Sequence, residues 1–161
     1  MPSIIGGGVI GIIIGEVSMT IHLVKLSVGT PSVEDQEAWV KSRVSLNKHR
    51  GLGAVHDHVT RMHPRREAEL LDGGSIYWVI KGVVLCRQEI TRIERVTGQD
   101  GIARTALLMK PEIIRTEPQM RRSFQGWRYL KPEDAPRDLA ETNGKDVPAH
   151  LQQELAALGL L

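Results

Sequence analysis

SIYWVIKGVVLC, residues 75–86, is the stretch on which the fold class turns. Ile, Tyr, Trp and Val crowd into it, the residue types that fit a pleated strand. Trp78 shares a face with Ile76 and Ile80 by the two-residue period of a strand, the position of a core anchor. Gly82 marks a bulge or bend within the run. RQEITRIERV continues the strand to Val96, and TGQDG (97–101) turns the chain into a further strand, IARTALLM (102–109). The β content therefore clusters mid-chain in long runs of antiparallel character. That pattern reads as α+β: a small, bent, mixed or antiparallel sheet, or a pseudobarrel, with flanking helices and a C-terminal helix. A doubly wound parallel sheet would alternate its elements more regularly.

Upstream, MTIHLVKLSVG (19–29) alternates as a strand, with Ile21, Leu23 and Lys25 on one face and His22, Val24, Leu26 and Val28 on the other. After Gly29, Ser32 and Asp35 form a capping-box-like pair, and Glu34 and Glu37 suit the positive end of a helix dipole. Val33, Val40 and Val44 fall on one face of that helix, which should stop before Gly51 and Gly53. HDHVTRM (56–62) reads as a second strand. Pro64 opens a short helix, PRREAELLD, that Gly73 ends by adopting positive φ. Downstream, residues 111–118 read as a Pro-bounded connection, and 120–136 as an arginine-rich segment, MRRSFQGWRYLKPEDAP. Residues 137–147 are polar and loop-like. Pro148 starts a terminal amphipathic helix with Leu151, Leu155 and Leu158 on one stripe.

The 161 residues suit one domain, and 41% hydrophobic with 25% charged residues is the composition of an ordinary globular protein. The single cysteine, Cys86, excludes an internal disulfide and a cysteine-based zinc site, and fits a reducing compartment. It lies in an apolar strand and is expected to pack rather than react. The apolar run at residues 4–14 is far below the roughly 20 residues that span a bilayer. No basic residue precedes it and no A-x-A-like site follows, so a cytoplasmic location and no membrane partner are expected. Within that run, IIGGGVIG (4–11) has the G-x-G-x-x-G spacing of a dinucleotide loop at Gly6, Gly8 and Gly11. The fingerprint requires a preceding strand, a helix opening within it and an acidic residue about 20 positions on. Here the strand is almost absent, the following residues are β-branched, and Glu34 and Asp35 come after a second turn. Residues 1–18 therefore read as a leader outside the domain at 19–161, with no cofactor expected.

Charge is uneven along the chain. Residues 61–131 carry 14 Lys and Arg against 8 Asp and Glu, a balance of +6, while the remainder carries 7 against 11, a balance of −4. Five of the six aromatics fall inside the basic region, as Tyr77 and Trp78 and then Phe124, Trp127 and Tyr129. Cations for phosphates and π-faces for bases are what hold single-stranded nucleic acid. The candidate contact residues are Arg61, Arg65, Arg66, Arg121, Arg122, Phe124, Arg128 and Tyr129. The histidines offer different chemistry. His56 and His58 share a strand face, with His63, His22 and Asp57 within reach, but no helical HExxH accompanies them and no metal is expected. His58-Val59-Thr60 matches one H-x-T element of two-histidine phosphoesterases, whose second copy is missing here. His58, Thr60 and Lys81 are the catalytic candidates should the protein be an enzyme.

MTIHLVKLSVG, HVTRM-x-P, LLDGGSIYWVIKG, FQGWRYLKPEDAP-x-DL and the terminal LAALGLL together resemble a family of small bacterial proteins known as domain of unknown function 1489. The resemblance runs from Met19 to the end; it implies that residues 1–18 lie outside the family pattern and that His63 stands where an aromatic is expected. It brings no activity. A weaker resemblance, carried by AELLDGGSIYWVIKG and CRQEITRIERV, is to PUA and ASCH domains, small pseudobarrels often reading RNA or modified bases. Three functions are consistent with these features: an RNA-binding module with a basic-aromatic surface, a small enzyme acting on a nucleotide or modified nucleoside, and a protein-interaction module docking through its C-terminal leucines.

Overall fold

A computed structural model describes residues 20–140. The leader at 1–18 and the helix expected from Pro148 lie outside the described residues. In chain order the elements are β1 (His22–Leu26), α1 (Val33–His49), β2 (His56–Thr60), α2 (Glu67–Leu70), β3 (Ser75–Ile80), β4 (Val83–Thr97), β5 (Ala103–Met109), β6 (Ile114–Met120) and β7 (Trp127–Leu130). A 3-10 turn follows at Pro132–Asp134. The seven strands form one mixed sheet in the order β2-β5-β4-β3-β1-β7, with β6 paired to β4 off that path. β1 and β3 run parallel; the other pairs are antiparallel. The fold is α+β, and the sheet is bent but open, because its end strands β2 and β7 pair with β5 and β1 and not with each other.

The opening stretch is two strands rather than one. Lys81 and Gly82 both have positive φ, 52° and 81°, which is the two-residue turn whose twist matches a hairpin. Chain reversal, not a bend, occurs at Gly82. The departure from regular pairing comes later, at Leu85, where the register of β4 slips against β3 and β6 alike. Leu85 and its neighbour Cys86 consequently both join the main core. A second slip sits between Ile90 and Arg92, where the Thr91 hydroxyl donates to Leu108 O at 3.1 Å. Up to Glu89, β4 pairs with β3 and β6; from Ile90 it pairs with β5. This one long strand thus changes partners at its bulge, and so bends the sheet.

All six residues of β3 are buried, since it lies between two neighbours and is covered on both faces. Ile76, Trp78 and Ile80 enter the main core with Leu23, Leu70, Leu107 and Trp127. Tyr77 and Val79 face a smaller cluster with Val24, Val84 and Leu130 on the other side. Helix α1 begins as its capping signal predicts, with Ser32 Oγ accepting from Asp35 N at 3.1 Å. Its buried stripe is Val33, Gln36, Val40, Val44 and Asn47, so polar hooks share the attachment. Arg43 donates two 2.9 Å bonds to the Asp57 carboxylate on β2, and Asn47 Nδ2 donates to Val55 O and Asp57 Oδ1, each at 2.8 Å.

Two further segments differ from the reading by residue type. Residues 111–118 are largely strand, not connection: β6 tolerates Pro118 because its register against β4 is irregular between Arg115 and Gln119, where no ladder N–H is required. α2 starts at Glu67, three residues after Pro64, and the Arg66 N–H just before it donates to the Tyr129 hydroxyl at 3.0 Å. The start of the polar loop is also held, with Asp138 bridged to Thr116 and ion-paired to Arg87 at 2.8 Å.

Candidate functional site

Four of the basic and aromatic candidates, Arg66, Phe124, Arg128 and Tyr129, meet at β7, an end strand of the sheet. Its alternation sends Trp127 and Tyr129 toward the main core, and Leu130 toward the smaller cluster against which Phe124 packs. The segment after β2 is tied to the first face. Trp127 Nε1 donates to Met62 O at 3.0 Å, Tyr129 accepts from Arg66 N, and the Arg66 guanidinium lies 5.4 Å from the Tyr129 ring centre. Arg66 is further held by a bidentate pair with Glu69, both bonds 2.7 Å. On the other face, Arg128 lies 5.2 Å over Phe124 and donates to the carbonyls of Gln125 and Trp127. The structure therefore brings Arg66 together with Tyr129, and Arg128 with Phe124, on opposite faces of one strand. Arg61, Arg65 and Arg122 are exposed and make no ion pair among the described residues. Arg121 is half-buried, its Nε has no partner among the described residues, and its backbone N–H bonds Gly82 O at 2.9 Å.

The catalytic candidates do not form one cluster. Lys81 occupies the β3–β4 turn beside Arg121, Thr60 is buried at the end of β2, and His58 lines a cavity. That cavity, about 190 Å³, opens between the end of β1, the start of α1, and β2, with Trp78 in its wall. His58 meets Trp78 edge-on at 5.4 Å between centres, and His56 lies 6.3 Å from the same ring. The shared face read from their spacing is thus the cavity face. Asp57, one residue between them, points away to Arg43 and Asn47, and among the described residues no carboxylate lines the cavity. His63 is spent elsewhere, on Thr105 Oγ1 at 2.8 Å and Glu67 at 2.7 Å. His22 accepts from Ser75 N at 3.0 Å.

Gln88, fully buried where β4 changes partners, organises the cavity wall. Its Oε1 accepts from His56 Nδ1 at 3.1 Å and Trp78 Nε1 at 2.9 Å, while its Nε2 donates to Lys110 O at 2.9 Å. His56 must carry its proton on Nδ1 to make that bond, which leaves Nε2 as an acceptor. Burial lowers the pKa of His56 and, together with the Lys25 charge, pushes His58 down to about 4, so both rings are neutral at pH 7. His58 Nε2 is sealed from solvent without a hydrogen bond. Opposite, Gln36 is 2% exposed; its Oε1 is held by the Ser27 and Thr30 hydroxyls. Lys25 closes one side, its pKa lowered by burial and its Nζ 3.5 Å from Gly126 O in the turn leading to β7. Trp39, half exposed on α1, stands at the rim.

Residue-type reasoning found His56 and His58 but not Lys25, Gln36, Trp39 or Gln88 as parts of a site. Trp39 carried a signal: it is the sixth aromatic, placed on the helix away from the Val33–Val40–Val44 stripe. Cys86 is buried and its thiol is pushed up to about 12 by that burial, the state of a packing residue. Among the described residues, no helix is long and apolar enough to cross a membrane. No curated protein and no solved structure matches the chain. Residues 23–161 match the family described as protein of unknown function (DUF1489), and the chain belongs to that family.

Proposed function

We propose that the protein is a nucleic-acid-binding module that holds single-stranded RNA along β7 and the two segments flanking it. The observation that carries this reading is the pair of arginine–aromatic contacts on opposite faces of one end strand, Arg66 on Tyr129 and Arg128 on Phe124. A guanidinium on a ring offers a planar face for a base. The Arg66 fork is taken by Glu69, while Arg128, bonded among the described residues only to backbone carbonyls, keeps donors for a phosphate. Arg61, Arg65 and Arg122 add charge that no carboxylate among the described residues neutralises, so binding phosphate costs them no ion pair. The +6 balance of residues 61–131 supports the same reading through long-range attraction.

Binding of a labelled oligouridylate to the full chain, measured across a salt series, tests it. Affinity should fall steeply, with a log–log slope of about −0.7 per phosphate neutralised on a single strand. Arg122→Glu and Arg128→Glu should each weaken binding and flatten that slope. No binding at low salt, or a flat salt response, refutes the proposal.

A further inference from the structure

We propose that the cavity between β1, α1 and β2 is a binding site for one planar, uncharged nitrogen heterocycle of the nucleobase type. For the source of that ring the proposal rests on the nucleic-acid reading of β7: Lys25 lines the cavity and reaches the carbonyl of Gly126, in the turn that carries Phe124 and Arg128 to the strand. An unpaired base can therefore leave a strand held at β7 and enter beside Lys25.

The chemistry of the walls selects the ligand. The volume, about 190 Å³, is below the roughly 300–1,000 Å³ of sites for drug-sized molecules and suits a single ring system. Trp78 and His58 line the cavity, packed edge-to-face on each other, and Trp39 supplies a further ring at the rim, an aromatic setting that favours a planar guest. Hydrogen-bonding capacity is present and unspent. Gln36 uses its Oε1 on Ser27 and Thr30, and its Nε2 has no partner among the described residues. His56 uses Nδ1 on Gln88, leaving Nε2 free to accept. One donor and one acceptor among the lining residues complement a heterocycle edge that carries both.

Charge narrows the choice further. Among the described residues no Asp or Glu lines the cavity, so a cationic guest would meet Lys25 with no counter-charge from them. The histidines that face it are neutral at pH 7 and offer an anionic ring no cation in the interior. Lys25 stands at the side where the polyanionic backbone would continue, which matches charge outside and a neutral ring within.

Equilibrium dialysis of the full chain against adenosine, guanosine, cytidine and uridine, each at millimolar concentration, tests the site without any phosphate. At least one nucleoside should bind saturably, and Trp39→Ala and His58→Leu should each weaken it about tenfold or more. Trp39 is half exposed, so its substitution leaves the fold intact and keeps the test valid if His58→Leu is unstable. No saturable binding, or affinities unchanged in Trp39→Ala, overturns the proposal. Salt-dependent oligouridylate binding that is unaltered by Trp39→Ala, with no nucleoside bound, brings down the cavity alone. Nucleoside binding sensitive to Trp39→Ala supports the cavity, even where oligonucleotide binding is flat with salt and the β7 reading falls.

Discussion

A Gln88→Leu substitution keeps the side-chain volume nearly constant while deleting three hydrogen bonds at a fully buried point. The three partners are not equally harmed. His56 can move its proton to Nε2 and so escape with a neutral lone pair at Nδ1. Lys110 is exposed, and water can reach its carbonyl. Trp78 has no such recourse, because indole donates only through Nε1 and the side chain is 3% exposed. A stranded buried donor costs about 1–3 kcal/mol, and the weakened His56 and Lys110 contacts add about 0.5–1 kcal/mol each. The sum is about 3 kcal/mol, a large part of the 5–15 kcal/mol typical of a whole domain. Urea denaturation followed by tryptophan fluorescence measures it, and the midpoint should fall with no change in slope. If Gln88→Leu is destabilised by less than about 1 kcal/mol, the hydrogen bonds are not what holds the wall, and the account of the cavity's rigidity is wrong.

Other perturbations have equally definite outcomes. At Gly74 an added Cβ would run into the backbone carbonyls of Ile21 and Leu70, so Gly74→Ala should cost about 3 kcal/mol or more, or abolish folding, in a denaturant melt. Lys81 holds positive φ in a turn that favours Asn, so Lys81→Asn should stabilise by up to about 1 kcal/mol in the same melt. His22 and His58 titrate near 4 in the folded chain, below the ordinary histidine value of 6.5. The unfolded chain therefore binds their protons first as pH falls. Stability should be full above pH 6.5 and decline down to about pH 4, by about 1–2 kcal/mol per ring after allowing for partial exposure. Burial and the neighbouring Arg87 charge hold His22 down, and its Nδ1 accepts the Ser75 N–H. Thermal melts from pH 7 to 4.5 that show no decline would refute the assignment, and His58→Leu should lessen the slope.

Much of the fold was legible because it rests on local rules. The Ser32 cap, the Val33–Val40–Val44 stripe and the opposite faces of Ile21/Leu23 and Val24 follow from periods of 3.6 and 2, which any short window displays. Gly82 announced a backbone irregularity, yet bulge and reversal share the same glycine signal. The difference lay in Lys81, whose positive φ no residue-type rule would expect. Strand β6 was hidden by Pro118, since a proline speaks against a strand until its register shows that no hydrogen bond is wanted there.

The candidate site was legible only where two residues lie close in the chain. His56 and His58 stand two apart on one strand, and their common face survives folding. Arg66 and Arg128 were read as parts of one surface, whereas the alternation of β7 sets Tyr129, which meets Arg66, and Arg128, which meets Phe124, on opposite faces. The cavity joins Lys25, Gln36, His56 and Trp78, drawn from β1, α1, β2 and β3, with Gln88 of β4 bracing the wall behind. Periodicity and charge determined the elements, their buried faces and the basic middle of the chain. Strand order, the bulge that lets β4 change partners, and therefore which distant residues share a cavity, depend on pairings between segments far apart in sequence, and only the tertiary structure decides those.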